Sequence, residues 1–103
     1  MRIRRNLSNV ELRRIAENYD ITFLNGSNIV RSSGSQKVKV FHGEDPKNTV
    51  SFDQENMLFK SVHWKEWMEG DIAYVIATAM TGKGYPHPDQ VKSVRRQAKK
   101  LLK

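Results

Sequence analysis

The chain of 103 residues contains no cysteine. Disulfide bonds, thiolate zinc sites and a cysteine nucleophile are therefore excluded, and packing must stabilise the fold. The longest apolar stretch, from Ile72 to Met80, is too short to cross a bilayer. The basic start, Met1 to Arg5, leads into a polar segment rather than into the apolar core of a signal peptide. We expect a soluble, cytoplasmic protein.

The composition is that of a globular chain rather than a disordered one. Apolar residues make up 38% of the sequence and charged residues 28%, with four Phe, three Tyr and two Trp. The length is close to that of one ordinary domain. We predict a single domain over residues 1–103, with a short flexible basic arm at residues 1–6.

The net charge of +7 is concentrated at the two ends of the chain. Residues 1–14 carry five Arg and one Glu, which gives +4, and residues 15–87 carry seven basic and nine acidic groups, which gives −2. Residues 88–103 carry six basic groups and one Asp, which gives +5. Basic ends around a nearly neutral centre are typical of a surface that attracts phosphate backbones, and a merely solubilising surface is the alternative.

The first helix is predicted at about residues 9–19. Ser8 and Glu11 have the spacing of a capping box, in which each side chain bonds a backbone N–H at the start of the helix. Leu7 and Leu12 stand at the positions of a hydrophobic staple. Apolar residues then recur at helical spacing up to Tyr19.

The centre of the chain changes to an extended period. Asn25-Gly26 between apolar runs predicts a hairpin, and the alternation of lysine with valine from Lys37 to Phe41 predicts a half-buried strand. A further short strand is expected at Thr49 to Phe52, after a loop. These segments predict a small antiparallel sheet of three or four strands at about residues 21–52.

The helical period returns in the C-terminal half. An apolar stripe that includes Trp64 and Trp67 predicts a helix from about Val62 to Met80, with Gly70 as a possible kink or break. Gly82 suits the end of this helix. A last helix is predicted to begin at Pro88. The whole pattern predicts an α+β fold, in which an N-terminal helix and two C-terminal helices flank the sheet.

The last helix is the most informative element, because its six cations share one face with no acid among them. Its other face is apolar, so the cations project into solvent. Like charges four residues apart, such as those of Lys92 and Arg96, disfavour the isolated helix, and a phosphate backbone would offset the repulsion. The predicted nucleic-acid-binding residues are Arg2, Arg4, Arg5, Lys37, Lys39, Lys92, Arg95, Arg96, Lys99, Lys100 and Lys103.

A non-enzymatic nucleic-acid-binding protein is thus the leading hypothesis, for DNA or RNA alike. The first alternative is a small interaction or inhibitor protein, encoded by a phage or mobile element, whose cations occupy an acidic groove on a host protein. An anionic membrane surface would attract the same charges. The pattern leaves the oligomeric state open, and we expect no cofactor.

Catalysis has little support in the sequence. His42 is the best general-base candidate, with Ser27, Asn28 and Lys39 as conceivable neighbours, and an RNase that uses it is the least favoured hypothesis. The carboxylates of Glu66, Glu69 and Asp71 share a helical face poorly. A solvated or ion-paired cluster is therefore favoured over a magnesium site there. We predict neither catalytic residues nor a metal site.

The aromatic residues near the second half of the chain have two interpretations. Trp64 and Trp67 could stack on unpaired bases, but their place on an apolar stripe favours core packing. Tyr85, between glycine and proline in a linker, is the better candidate for stacking.

A helix is followed by strands that carry Gly26-Ser27-Asn28, Val38-Lys39-Val40 and His42-Gly43, and a basic helix closes the chain. This order of elements resembles that of the small HicA-like RNA-cleaving toxins. That family has a double-stranded-RNA-binding-like fold. The resemblance covers about half of the chain, requires a long inserted segment that contains Trp64, and places Asn28 where the family carries its catalytic histidine. It implies RNA binding without support for cleavage.

Overall fold

The computed structural model describes residues 7–25, 28–29, 37–44 and 46–102. Within these residues three α-helices and six β-strands form, together with a short 3-10 helix at Pro46–Asn48. The helices are α1 (Asn9–Tyr19), α2 (Ile72–Thr81) and α3 (Pro88–Leu101). The strands are β1 (Ile21–Asn25), β2 (Asn28–Ile29), β3 (Lys37–His42), β4 (Val50–Asp53), β5 (Leu58–Ser61) and β6 (Met68–Glu69). The predicted α+β class is confirmed.

The six strands form one antiparallel sheet in the order β2-β1-β3-β4-β5-β6. Four of these strands fall in the segment where three or four were expected. The pairing of Leu24 with Ile29 confirms the hairpin predicted around Asn25-Gly26, although Gly26 itself lies outside the described residues. The predicted arm at residues 1–6 also lies outside them.

One face of the sheet is covered and the other faces solvent. Alternate side chains of the central strands are buried, as Val38 and Val40 are on β3, whereas Lys39 between them is exposed. The second helix packs on β3, β4 and β5, the first on β1, and α3 packs on both helices. The helices therefore form a layer on the buried face, as is usual for an antiparallel sheet with one wet side.

The first helix begins as its sequence predicts. The Ser8 hydroxyl accepts a bond from the Glu11 N–H at 3.2 Å, and the Glu11 carboxylate accepts one from the Ser8 N–H at 3.0 Å. Leu7 and Leu12, at the staple positions, are both buried. The Leu7 N–H also donates to the buried side chain of Gln54, which ties the entry to α1 to the turn between β4 and β5.

The helix predicted from Val62 to Met80 is wrong in its first half. The chain there runs through β6, which pairs with β5, and α2 begins only at Ile72. The Gly70 N–H donates to the Met57 carbonyl across the sheet at 2.9 Å, so the backbone is extended where the helix was expected. The helical spacing of Trp64, Trp67 and Met68 is therefore fortuitous. The strand at Leu58–Ser61 was not predicted.

Gly70 is the most closely packed of the described glycines. A Cβ atom at this position would lie 2.5 Å from Cε1 of Phe59 and 3.0 Å from Cβ of Tyr74. Phe59 is 2% exposed, so its ring has little room to withdraw. Only glycine allows the chain to pass this close to the sheet before it enters α2.

We therefore expect Gly70→Ala to lower the free energy of unfolding by about 2–3 kcal/mol, because the added methyl overpacks the core. Urea denaturation measures this loss. Gly84→Ala is the matched control, since its Cβ would meet only the Thr81 methyl at 4.0 Å. Equal stability of the two variants would contradict the packing argument.

Candidate nucleic-acid interface

The third helix rests on its apolar side and presents its basic side outward. Val91, Val94 and Ala98 are buried against the other helices. Pro88 is the first helical residue, as predicted, and the Nδ1 atom of His87 accepts a bond from the Asp89 N–H at 3.1 Å. This cap and the buried side fix the helix and direct the opposite side into solvent.

The basic side of α3 carries cations from its second turn to its last. Lys92, Arg96 and Lys100 are exposed, and Lys99 is half-buried. No acidic side chain of the described residues forms an ion pair with any of these four. Residues four apart on a helix rise about 6 Å along its axis. Spaced in this way, unpaired cations form a strip suited to an extended row of negative charges.

Arg95 differs from its neighbours because its guanidinium is engaged within the protein. Its Nε atom donates to Asp71 Oδ2 at 3.0 Å, and NH2 donates to Asp71 Oδ1 at 3.4 Å. The Asp71 side chain is fully buried, and the Arg95 side chain is 18% exposed. The hydrogen bond that Arg95 donates to Asp71, partly opposed by burial, raises the pKa of Arg95 above its ordinary value.

Asp71 binds more than Arg95, because it is also the N-cap of α2. Its Oδ1 atom accepts bonds from the N–H groups of Ala73 at 3.1 Å and Tyr74 at 3.4 Å. A carboxylate at this position satisfies donors that the first turn of a helix leaves unpaired. One buried side chain thus starts α2 and holds α3 against it.

A row of aromatic rings leads away from this ion pair. The guanidinium of Arg95 lies 5.3 Å from the ring centroid of Tyr74, and Tyr74 stacks on Phe59 at 5.8 Å. Phe59 meets Trp64 edge to face at 5.6 Å, and Trp64 stacks on Tyr85 at 4.5 Å. The row begins within the helical layer and ends at the exposed ring of Tyr85.

Trp64 is held by contacts from several loops at the end of the sheet. Its Nε1–H donates to the Lys83 carbonyl at 3.3 Å, and its own N–H bonds the Ser61 carbonyl. The neighbouring His63 ring bonds the Asn48 amide oxygen at 2.7 Å. The segment before β6, the 3-10 helix and the loop after α2 are thereby joined around one indole.

The other predicted binding residues are not all brought to α3. Lys39 projects from the open face of the sheet, opposite the helical layer that contains α3. It therefore does not extend the basic strip of the helix. Arg2, Arg4, Arg5, Lys103 and the side chain of Lys37 lie outside the described part of the protein.

The residues considered for catalysis are likewise dispersed. His42 is exposed at the end of β3, and Lys39 points to the opposite face of the sheet. Ser27 and the Asn28 side chain lie outside the described residues. Among the residues that are described, no group of three or more histidine and acidic side chains could hold a metal ion.

Three features of the site were not predicted from the sequence. An aspartate directly before an apolar helical run is an N-cap signal, and Asp71 could have been read as one. Its pairing with Arg95, which lies 24 residues away, has no local signature. The sequence also did not indicate that Tyr74 would connect the ion pair to Phe59.

None of the described helices is both long enough and apolar enough to cross a membrane.

We expect Arg95→Gln to lower the free energy of unfolding by about 2 kcal/mol, because the buried Asp71 carboxylate loses its counter-charge. Arg96→Gln removes the same charge from an exposed position and should change stability by less than about 0.5 kcal/mol. Chemical denaturation of both variants measures the difference. If Arg95→Gln proved as stable as Arg96→Gln, the ion pair would not hold α3.

Comparison with known proteins adds no assignment to this geometry. No protein-family model, no curated protein and no solved structure matches the chain.

Proposed function

We propose that this protein binds nucleic acid through the outward side of α3, without catalysing a reaction on it. The observation that supports this most directly is the strip formed by Lys92, Arg96, Lys99 and Lys100. These side chains lie on a rigid helix and have no acidic partner among the described residues. Phosphates would neutralise the repulsion within the strip and release counterions.

The packing of α3 supports a binding role for this side. The apolar residues of the helix are already buried beneath it, and Arg95 anchors it to Asp71. The remaining cations are therefore not required to hold the helix in place. Lys99 and Lys100 interact favourably with the negative C-terminal end of the helix dipole and so stabilise the helix. Lys92 and Arg96 lie too far from that end to share this role.

Arg95 takes a positioning role in this proposal, and the predicted contacts of Arg2, Arg4, Arg5 and Lys103 stay predictions. Phosphate contacts of this kind position a ligand and confer no sequence preference.

The proposal predicts that Arg96→Gln combined with Lys100→Gln weakens binding at least about tenfold near 0.1 M salt. The magnitude of the slope of log K against log salt should fall by about 1.5, because each lost phosphate contact contributes 0.7 to 0.9. Fluorescence anisotropy with labelled single-stranded DNA, duplex DNA and structured RNA measures both quantities.

Lys39→Gln combined with Lys60→Gln is the matched control. Lys60 pairs through Ser51 with Lys39 across the strands, so both residues lie on the open face of the sheet. The control removes the same charge from the opposite side and should leave the salt slope nearly unchanged. If the control lost more affinity than the variant with Arg96→Gln and Lys100→Gln, the interface would lie on the open face of the sheet. Absence of binding by the wild-type protein at low salt would overturn the proposal.

A further inference from the structure

Tyr85 is the most exposed of the large apolar and aromatic residues of the described chain, at 66%. One face of its ring stacks on Trp64, with centroids 4.5 Å apart and ring planes inclined by 22°. With this much surface free, the other face of the ring is open to solvent. A further planar group could stack on it and lengthen the stack to three.

The ring pair is rigid on its inner side. Trp64 is half-buried, its indole N–H is bonded to the Lys83 carbonyl, and its edge contacts Phe59 within the core. Pro86 follows Tyr85 directly, Pro88 comes two residues later, and both limit the backbone dihedral angles of the linker. An exposed aromatic ring held in this way loses little conformational entropy when a ligand stacks on it.

The charge that would attract a polyanion with aromatic bases lies on α3. Near the ring pair itself, Lys83 and Lys65 are balanced by Glu66 and Asp89, the acidic groups nearest in sequence. The cationic strip of α3 begins at Lys92, on the second turn of the helix that starts three residues after Tyr85.

We propose that Tyr85, supported by Trp64, is a stacking platform for an unpaired base, so that the ligand of the α3 surface is a single-stranded nucleic acid. This inference rests on the proposed function. In a duplex the faces of the bases are already stacked on one another, so an exposed ring can receive only a base that is unpaired. Aromatic platforms beside a basic groove are the usual means of binding single strands.

The inference is tested with oligo-thymidine of about 16 nucleotides and with an abasic strand of equal length, which keeps the phosphates and removes the bases. Tyr85→Ala should weaken binding of oligo-thymidine about 5- to 20-fold. The same variant should bind the abasic strand as the wild-type protein does. Tyr85→Phe keeps the ring and should bind both strands normally.

A second readout reports on the ring pair itself. In a Trp67→Phe background Trp64 is the remaining tryptophan, and stacking of a base beside it should quench its fluorescence. Oligo-thymidine should quench this signal, whereas the abasic strand should not. Tyr85→Ala should abolish the quenching, and its unfolding midpoint should stay close to that of the wild-type protein because Tyr85 is exposed.

The possible outcomes separate the two proposals. If oligo-thymidine and the abasic strand bind equally and Tyr85→Ala changes neither, the stacking platform is wrong, while salt-dependent binding still supports the α3 surface. If duplex DNA binds more tightly than the single strand, the platform is also wrong. If no strand binds at low salt, both proposals fail together.

Discussion

The carboxylate of Asp71 is buried without any contact with solvent, and the arrangement of the C-terminal half depends on how its charge is satisfied. It accepts the N–H groups at the start of α2 and the guanidinium of Arg95 from α3. A buried charge that lacks these partners would be strongly destabilising. The two helices are therefore held in one relative position by a single side chain.

The position of α3 determines which of its cations remain available. The side of the helix that bears Arg95 faces Asp71 and Tyr74, and the apolar side faces the core. The other cations are left on a solvent-facing strip. From the same ion pair a row of aromatic rings reaches the surface at Tyr85. The helix that bears the basic strip is thus connected to the exposed ring by one row of contacts, which passes through Phe59 of β5 and Trp64.

Local signals predicted the elements whose ends are determined within a few residues. Ser8 and Glu11 defined the start of α1, Pro88 that of α3, and Asn25-Gly26 the first hairpin. The prediction for the segment from Leu58 to Gly70 failed because this segment is extended by pairing with other strands, which its own residue spacing does not show. Leu58–Ser61 is extended through its pairing with β4 and β6, and Gly70 is held by Met57 and Phe59. The helical spacing of aromatic residues along the sequence carries no information about those contacts.

The sequence by itself determined the α+β class, the basic C-terminal helix and the charge of the two ends, because these depend on composition, on periodicity and on capping residues within one turn. Only the tertiary structure decided that Arg95 is withdrawn to Asp71, that Lys39 lies on the opposite side from α3, and that Trp64 supports Tyr85. Each of these three results depends on which elements pack together across long separations in sequence. Long-range packing of this kind is set by the core as a whole, and no short stretch of residues encodes it.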